Sequence, residues 1–140
     1  MKNNKHAIII IKNNEGKYLQ YFDERWNSLL FLNCKLTSDN HFEEIKNNLK
    51  EKYGILCEEI DIDFVEDKIH SKFSESDQIM KEYHHYFYVA QNITSLDEIN
   101  NNEIINNIRF AWLSMEELEN NERVRQVNND IVNFIKEIKI

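Results

Sequence analysis

Four polar side chains in the first half of the chain have the types and spacing to meet a charged ligand. They are Glu44, Asn48, Glu51 and Lys52, at successive spacings of four, three and one residues. In a helix these spacings place the four side chains on neighbouring turns of one face. Carboxylate oxygens are ligands for hard cations such as Mg²⁺, whereas an amide supplies only a neutral oxygen. An ammonium group repels a dication, but lysine binds phosphate as a point charge. The set therefore disfavours a metal cluster and leaves Lys52 able to meet a phosphate directly.

The element that must position these side chains is an amphipathic helix that ends at Gly54. Residues 37–40 offer several side chains able to cap its start, and Glu43 and Glu44 suit the positive end of the helix dipole. Apolar residues recur every three or four positions and predict one packing stripe: Phe42, Ile45, Leu49 and Tyr53. Gly54 supplies the left-handed conformation that commonly ends a helix.

The stretch from Asn33 to Ile55 resembles the Nudix box, G-x5-E-x7-R-E-U-x-E-E-x-G-U, where U is apolar. In that family the box forms a loop, a helix and a loop whose carboxylates hold divalent metal against a substrate diphosphate. Four positions match the pattern: Leu49, Glu51, Gly54 and Ile55. Five depart from it, with Asn33 for the first Gly, Asp39 for the early Glu, Asn47 for Arg, and Asn48 and Lys52 for two helix Glu residues. The resemblance thus implies the fold element without two of its three helix carboxylates.

A second motif agrees in order and distance. The run from Trp112 to Leu118, with Ser114 as a helix cap, resembles the late Nudix pattern W-h-x-x-x-E-L, where h is apolar. Together the two motifs imply a single Nudix-like domain over residues 1–140, an α/β/α sandwich with a mixed β-sheet between helices. Hydrophobic periodicity alone gives only an α/β or α+β class.

The remaining elements follow from alternation and turn residues. We predict six strands at residues 5–12, 17–22, 28–36, 60–64 with a continuation towards 73, 80–91 and 108–113, a polar loop at 92–107 anchored by Leu96, Ile99, Ile104 and Ile105, and a closing helix at 122–138. The strand around residues 83–89 is aromatic on both faces, which is typical of a strand that is central in its sheet or lines a cleft.

Three functions remain open. The first is a binding module that does not hydrolyse its ligand, a nucleotide or nucleoside-diphosphate-like molecule, with no metal cofactor. Its ligand-binding candidates are Lys52, Asn48, Asp39 and Tyr86. The second, implied by the resemblance, is an active pyrophosphohydrolase that uses Mg²⁺ or Mn²⁺. Its catalytic and metal-binding candidates are Glu51 and Glu44, helped by Asp39 and by a carboxylate from residues 66–75 or Glu82. The third is a structural or regulatory interaction domain.

Composition bounds partners and location. The chain has 140 residues and a net charge of −8 without a basic run, which disfavours nucleic-acid binding. The apolar run at residues 7–11 is too short for a membrane span. Two cysteines, Cys34 and Cys57, are too few for a disulfide framework. These features predict a cytoplasmic protein with reduced thiols. The resemblance implies a small nucleotide-like ligand as its partner and is also compatible with a homodimer.

Histidines and thiols carry weaker signals. His84 and His85 are adjacent in a predicted strand, so they point to opposite faces and cannot hold one metal together. We expect one to be packed and the other to lie at a cleft or surface. His6, His41 and His70 are isolated in sequence and give no separate signal. A catalytic role for the Cys34 thiol would need a nearby base, and His41 is the closest histidine in sequence after the box loop.

Overall fold

A seven-stranded mixed sheet forms the centre of the protein in a computed structural model that describes residues 4–55, 60–75, 77–91, 99 and 103–138. The strands are β1 Lys5–Ile10, β2 Tyr18–Asp23, β3 Ser28–Lys35, β4 Asp61–Ser74, β5 Ile79–Gln91, β6 Ile104–Ile105 and β7 Ile108–Leu113. Their order is β4-β5-β1-β3-β2-β7-β6, with β1 and β5 parallel and the other neighbours antiparallel. The expectations for Cys57 and Leu96 lie outside the described residues.

Helices cover both faces of this sheet and confirm the α/β/α sandwich. They are α1 His41–Glu51, α2 Met115–Asn120 and α3 Glu122–Glu137. Alternate side chains of β1 pack into the two core layers on either side of the sheet, because successive side chains of a strand point to opposite faces. One core cluster joins Ala7 and Ile9 to Leu49 of α1, and the other joins Ile8 and Ile10 to α3.

The two ends of α1 form as the sequence predicts. The Asn40 side chain accepts a hydrogen bond from the Glu43 amide at 3.3 Å. Gly54 has a φ of 68°, and the Ile55 amide donates to the Leu49 carbonyl at 2.8 Å. The predicted stripe is wrong at Phe42, which is 42% exposed. The buried positions 45, 49 and 53 are spaced by four residues, and continuing that spacing backwards gives residue 41 rather than 42, so Phe42 turns away from the sheet.

The aromatic strand β5 is an inner strand between β4 and β1, as its two apolar faces predicted. On one face Tyr86 and Tyr88 contact His41 at the start of α1. On the other face the Phe87 ring lies 4.4 Å from that of Phe134 in α3. Its partner β4 runs on from the predicted residues 60–64 to Ser74, with a bulge between Phe64 and Glu66.

Strand β4 forms one edge of the sheet, and this edge is rich in exposed apolar side chains. On β4 and the adjoining part of β5 they are Phe64, Val65, Ile69, Phe73, Ile79 and Met80. Homodimerisation stays a prediction. Within the predicted loop at 92–107, Ile99 is buried, Ile104 and Ile105 form β6, and residues 92–98 and 100–102 lie outside the described part. None of the described helices is long and apolar enough to cross a membrane.

Candidate functional site

The hydroxyl group of Tyr53 closes the end of β3 onto α1. It donates to the Asn33 carbonyl at 2.9 Å and accepts from the Asn33 amide at 3.0 Å. The Asn33 side-chain nitrogen donates to the Tyr21 hydroxyl at 3.1 Å and to the Phe31 carbonyl at 3.0 Å. Tyr21 in turn donates to the Asp23 carboxylate at 2.8 Å. Both backbone polar groups of Asn33 are therefore engaged by protein.

Lys52 lies beside this network. Its ammonium nitrogen is 4.9 Å from the centre of the Tyr21 ring and 5.0 Å from that of Tyr53, within cation–π distance. Burial of the ammonium group lowers the pKa of Lys52, and the negative charge of Asp23 partly offsets this shift. Burial also raises the pKa of both tyrosines, which keeps them neutral hydrogen-bond donors. The end of α1 thus presents one cation held over two aromatic faces.

Glu44 uses its carboxylate to hold the loop that precedes α1. One oxygen accepts from the Thr37 amide at 2.8 Å and from the Thr37 hydroxyl at 2.6 Å, and the other accepts from the Ser38 amide at 3.3 Å. Desolvation raises the pKa of Glu44, but these hydrogen bonds outweigh it, so its pKa lies below the ordinary value. Asp39 is exposed in the same loop.

Tyr86, the predicted aromatic contact, lies at the start of α1 rather than at its end. Its ring packs edge-on against His41 at 4.9 Å and stacks on His84 at 4.3 Å. The predicted residues therefore fall into two groups: Glu44, Asp39 and Tyr86 near the start of the helix, and Asn48, Glu51 and Lys52 towards its end. Glu44 and Glu51 are separated by about 10 Å along the helix axis, from a rise of about 1.5 Å per residue.

A half-open cavity of about 90 Å³ lies between the sheet and α3 and reaches Asn33. Ring side chains form much of its wall: His6, Trp26, Phe31, Tyr83 and His85. Three polar side chains complete it: Asn33 of β3, Lys72 of β4 and Asn128 of α3. The sequence signalled only part of this cavity, through the aromatic strand. The contribution of α3 depends on how the layers pack, which no local pattern specifies.

Solved structures that are similar to this chain over almost its whole length identify the architecture. A Nudix hydrolase from Nitrosomonas europaea is similar over 98% of this chain and 88% of its own, with a TM-score of 0.61 and 14% identity. The chain has a Nudix-type fold. An Ap4A hydrolase from C. elegans is similar over 97% of this chain and 96% of its own, with a TM-score of 0.56 and 15% identity. A Nudix-family hydrolase from Clostridium perfringens is similar over 99% of this chain and 97% of its own, with a TM-score of 0.57 and 14% identity.

Sequence comparison adds nothing to this structural likeness. No protein-family model matches the chain, and no curated protein matches it. At these identities the structural neighbours establish the Nudix fold and do not carry their activities to this chain.

The side chains of α1 do not fit the magnesium cluster that the Nudix fold implies. The side-chain oxygen of Asn48 is buried without a hydrogen-bond partner among the described residues, and it is neutral. Glu44 is committed to the loop, and the cation of Lys52 stands where the pattern has a carboxylate. In the described part of the chain, no carboxylate of α1 belongs to a group of three acidic, histidine or cysteine ligands within 4.8 Å of one another. Mg²⁺ requires several oxygen ligands in octahedral geometry.

Two smaller predictions have clear outcomes. His85 is buried, whereas the Nε2 atom of His84 lies 2.6 Å from the Asp67 carboxylate on the opposite face, which confirms the predicted division of the pair. Burial, together with a smaller effect of the Glu44 carboxylate, raises the pKa of Cys34 to about 12. His41 bonds to the Tyr88 hydroxyl at 2.7 Å. A thiol so hard to ionise is a poor nucleophile, which argues against the catalytic-thiol alternative.

Proposed function

We propose that this Nudix-fold protein binds a nucleotide or a nucleoside-diphosphate-like ligand and does not hydrolyse it. The observation that carries the proposal is the position of Lys52, whose ammonium lies over the Tyr21 and Tyr53 rings at the end of the box helix. A fixed positive charge there takes the place that a metal ion would need. It can meet a phosphate oxygen directly, without an intervening ion.

The cavity beside Asn33 supplies the second half of the proposal. Its ring-lined wall offers faces on which a base can stack, and its polar side chains can orient one. Asn33 borders this cavity and is hydrogen-bonded to Tyr53, over which Lys52 lies. The cavity lies on the α3 side of the sheet and Lys52 lies at the end of α1, so a ligand with its base in the cavity would have to pass Asn33 for its phosphates to reach Lys52. The binding roles of Asn48, Asp39 and Tyr86 remain proposals of lower rank, since none of the three lines the cavity.

Thermal unfolding with chelator present tests the proposal directly. Nucleoside mono-, di- and triphosphates, nucleotide sugars and ADP-ribose are each added to the metal-free protein. At ten times its dissociation constant, a ligand should raise the melting temperature of a chain of this length by about 5 °C. Lys52→Glu should abolish the rise, because it replaces the phosphate-binding cation with an anion.

Lys50→Glu is the matched control. Lys50 is exposed in the last turn of the same helix, so the substitution makes the same change of charge away from the two rings. It should leave the ligand-induced rise intact. Equal loss in both variants would mean that only general electrostatics attract the ligand. If no ligand of the panel raises the melting temperature of the wild type, the proposal is contradicted and a structural or regulatory domain is favoured.

The alternative, an active hydrolase, is favoured by the structural neighbours, which include an Ap4A hydrolase. In that case Glu51, exposed near the end of α1, would be its leading catalytic carboxylate, with Glu44 as a second ligand for Mg²⁺ or Mn²⁺. We expect no release of phosphate or nucleoside monophosphate when either ion is added to the same panel. Turnover that Glu51→Gln abolishes would establish the alternative instead.

A further inference from the structure

Two histidines and a carboxylate from three separate elements converge on the α3 face of the sheet, on the opposite side from α1. They are His70 of β4, His85 of β5 and Asp130 of α3. The register of β4 and β5 pairs Lys68 with His85, so His70 lies diagonally next to His85 on the same face. The sequence gives no signal for His70, because its neighbour His85 is 15 residues away and becomes adjacent only through the register of the β4–β5 hairpin.

The geometry of the three ligand atoms is close to that of a tetrahedral metal site. The Nδ1 atoms of His70 and His85 are 2.9 Å apart, and an Asp130 oxygen is 3.6 Å from the His70 Nδ1 atom. Two ligands bound to Zn²⁺ in a tetrahedron are about 3.3 Å apart, given bond lengths of about 2.0–2.1 Å. All three atoms lie within 4.8 Å of one another. Small side-chain rotations are enough to place them around one ion.

A buried acceptor without a hydrogen bond points independently to a ligand. The same Asp130 oxygen is buried and makes no hydrogen bond to the described residues. Its nearest charged neighbour is the Lys72 ammonium at 3.5 Å. The ion pair with Lys72 offsets part of the cost of burying this oxygen, and a metal ion would have to compete with that ammonium for it.

The imidazole rings are held in place by their packing. The His85 ring stacks on Tyr83 at an interplanar angle of 1°, and the His70 ring packs edge-on against Phe134. Burial lowers the pKa of His85 to about 2, so that this imidazole stays neutral, as a metal ligand must be. Rings already fixed in orientation lose little conformational entropy when an ion binds.

We propose that His70, His85 and Asp130 form a binding site for a transition-metal dication such as Zn²⁺, separate from the box helix. Two imidazole nitrogens and one carboxylate oxygen suit Zn²⁺ or Co²⁺ better than Mg²⁺. Three protein ligands leave a fourth position open. His85 and Lys72 also line the cavity described above, so a fourth ligand can approach from that side. The inference does not depend on nucleotide binding.

Titration of the metal-free protein with Co²⁺ tests the site through the visible absorption of the tetrahedral ion, with Zn²⁺ displacing it. The wild type should bind one ion per chain. Zn²⁺ at 100 times its dissociation constant should raise the melting temperature by roughly 5–10 °C. His70→Gln and Asp130→Asn should each weaken binding at least about 100-fold, because even outer hydrogen-bond partners of metal ligands contribute about 10- to 100-fold.

Three further variants make the test specific. His84→Gln changes the adjacent histidine on the opposite face, and Glu51→Gln changes the box helix, so both should keep the wild-type affinity. Lys72→Met removes a cation next to Asp130 and should raise the affinity for Co²⁺. The melting temperature without metal shows whether His70→Gln and Asp130→Asn remain folded. Absence of the tetrahedral spectrum in the wild type, or an equal loss in His84→Gln or Glu51→Gln, would overturn the proposal.

Discussion

Removal of a single oxygen atom from Tyr53 should destabilise the protein more than the small change in volume suggests. The hydroxyl is the only part of the side chain that Tyr53→Phe deletes, and it makes two hydrogen bonds to one residue, at 2.9 Å to the Asn33 carbonyl and 3.0 Å from the Asn33 amide. Tyr53 is fully buried, so water cannot replace the hydroxyl without rearrangement. The variant therefore leaves a backbone donor and a backbone acceptor without partners.

The expected cost follows from these two groups. A buried polar group that loses its partner costs about 1–3 kcal/mol. Asn33 is only partly buried, which favours the lower half of this range for each group, and Phe removes the cost of burying a phenol. We therefore expect a loss of about 2–3 kcal/mol in the free energy of unfolding. For 140 residues this corresponds to a fall in melting temperature of about 5–10 °C.

Urea denaturation of Tyr53→Phe and Tyr18→Phe measures this cost against a matched control. Tyr18 is also buried in the sheet, with its ring packed edge-on against Phe31, but its hydroxyl has no hydrogen-bond partner in the described part of the chain. Tyr18→Phe should change the unfolding free energy by less than about 0.5–1 kcal/mol, since it orphans nothing. Equal effects of the two substitutions, with unchanged denaturant slopes, would refute the role assigned to the Tyr53 hydroxyl.

Three further outcomes follow from single residues. Gly54→Ala should lower the free energy of unfolding, measured by urea denaturation, by about 1 kcal/mol more than Gly16→Ala does. Both glycines have positive φ, but a Cβ at Gly54 would meet side chains of β6 and of the turn after it at 3.2 and 3.3 Å. Because hydrogen bonds hold the pKa of Glu44 below its ordinary 4.5, its stabilising contribution is present above that pH and is lost as the pH falls through the lowered value. The stability gap between wild type and Glu44→Gln in urea denaturation should therefore close on acidification, and a gap that is unchanged at low pH would contradict this. Because the pKa of Cys34 is raised to about 12, its thiol should be alkylated far more slowly in the native protein at pH 8 than in urea. Peptide mapping measures the two rates, and equal rates would contradict the burial of Cys34.

Local patterns in the sequence predicted most of the elements and failed where distant segments meet. The turn at residues 13–16 between the first two predicted strands, the glycine at the end of α1 and the Ser114 cap each act through neighbours in the chain, and the structure has all three. The stripe of α1 was wrong at Phe42, because spacings of three and of four residues both fit a helix, and the sequence alone does not decide between residues 41 and 42.

The candidate site was predictable to the same extent. The box helix and its substitutions could be seen in sequence, and the structure places them at the end of β3 as the resemblance implied. The cavity and the convergence of His70, His85 and Asp130 depend on the β4–β5 register and on the docking of α3. Both are features of the tertiary structure, and the spacing of residues within one segment contains no information about them.

The residues that depart from the Nudix pattern at positions 33 and 52 interact with the same two tyrosines. This determines the effect of replacing either one with the residue that the pattern has. Asn33, in the position of a glycine, is bonded to Tyr21 and Tyr53, and the rings of the same two tyrosines hold the cation of Lys52. A carboxylate at position 52 would lie against the negative faces of those rings and near Asp23, whose charge now favours the ammonium. A glycine at position 33 would leave the Tyr21 hydroxyl without one of its partners. A single reversion would therefore remove an interaction of the present network without completing a metal site, and a carboxylate cluster would require several coordinated changes.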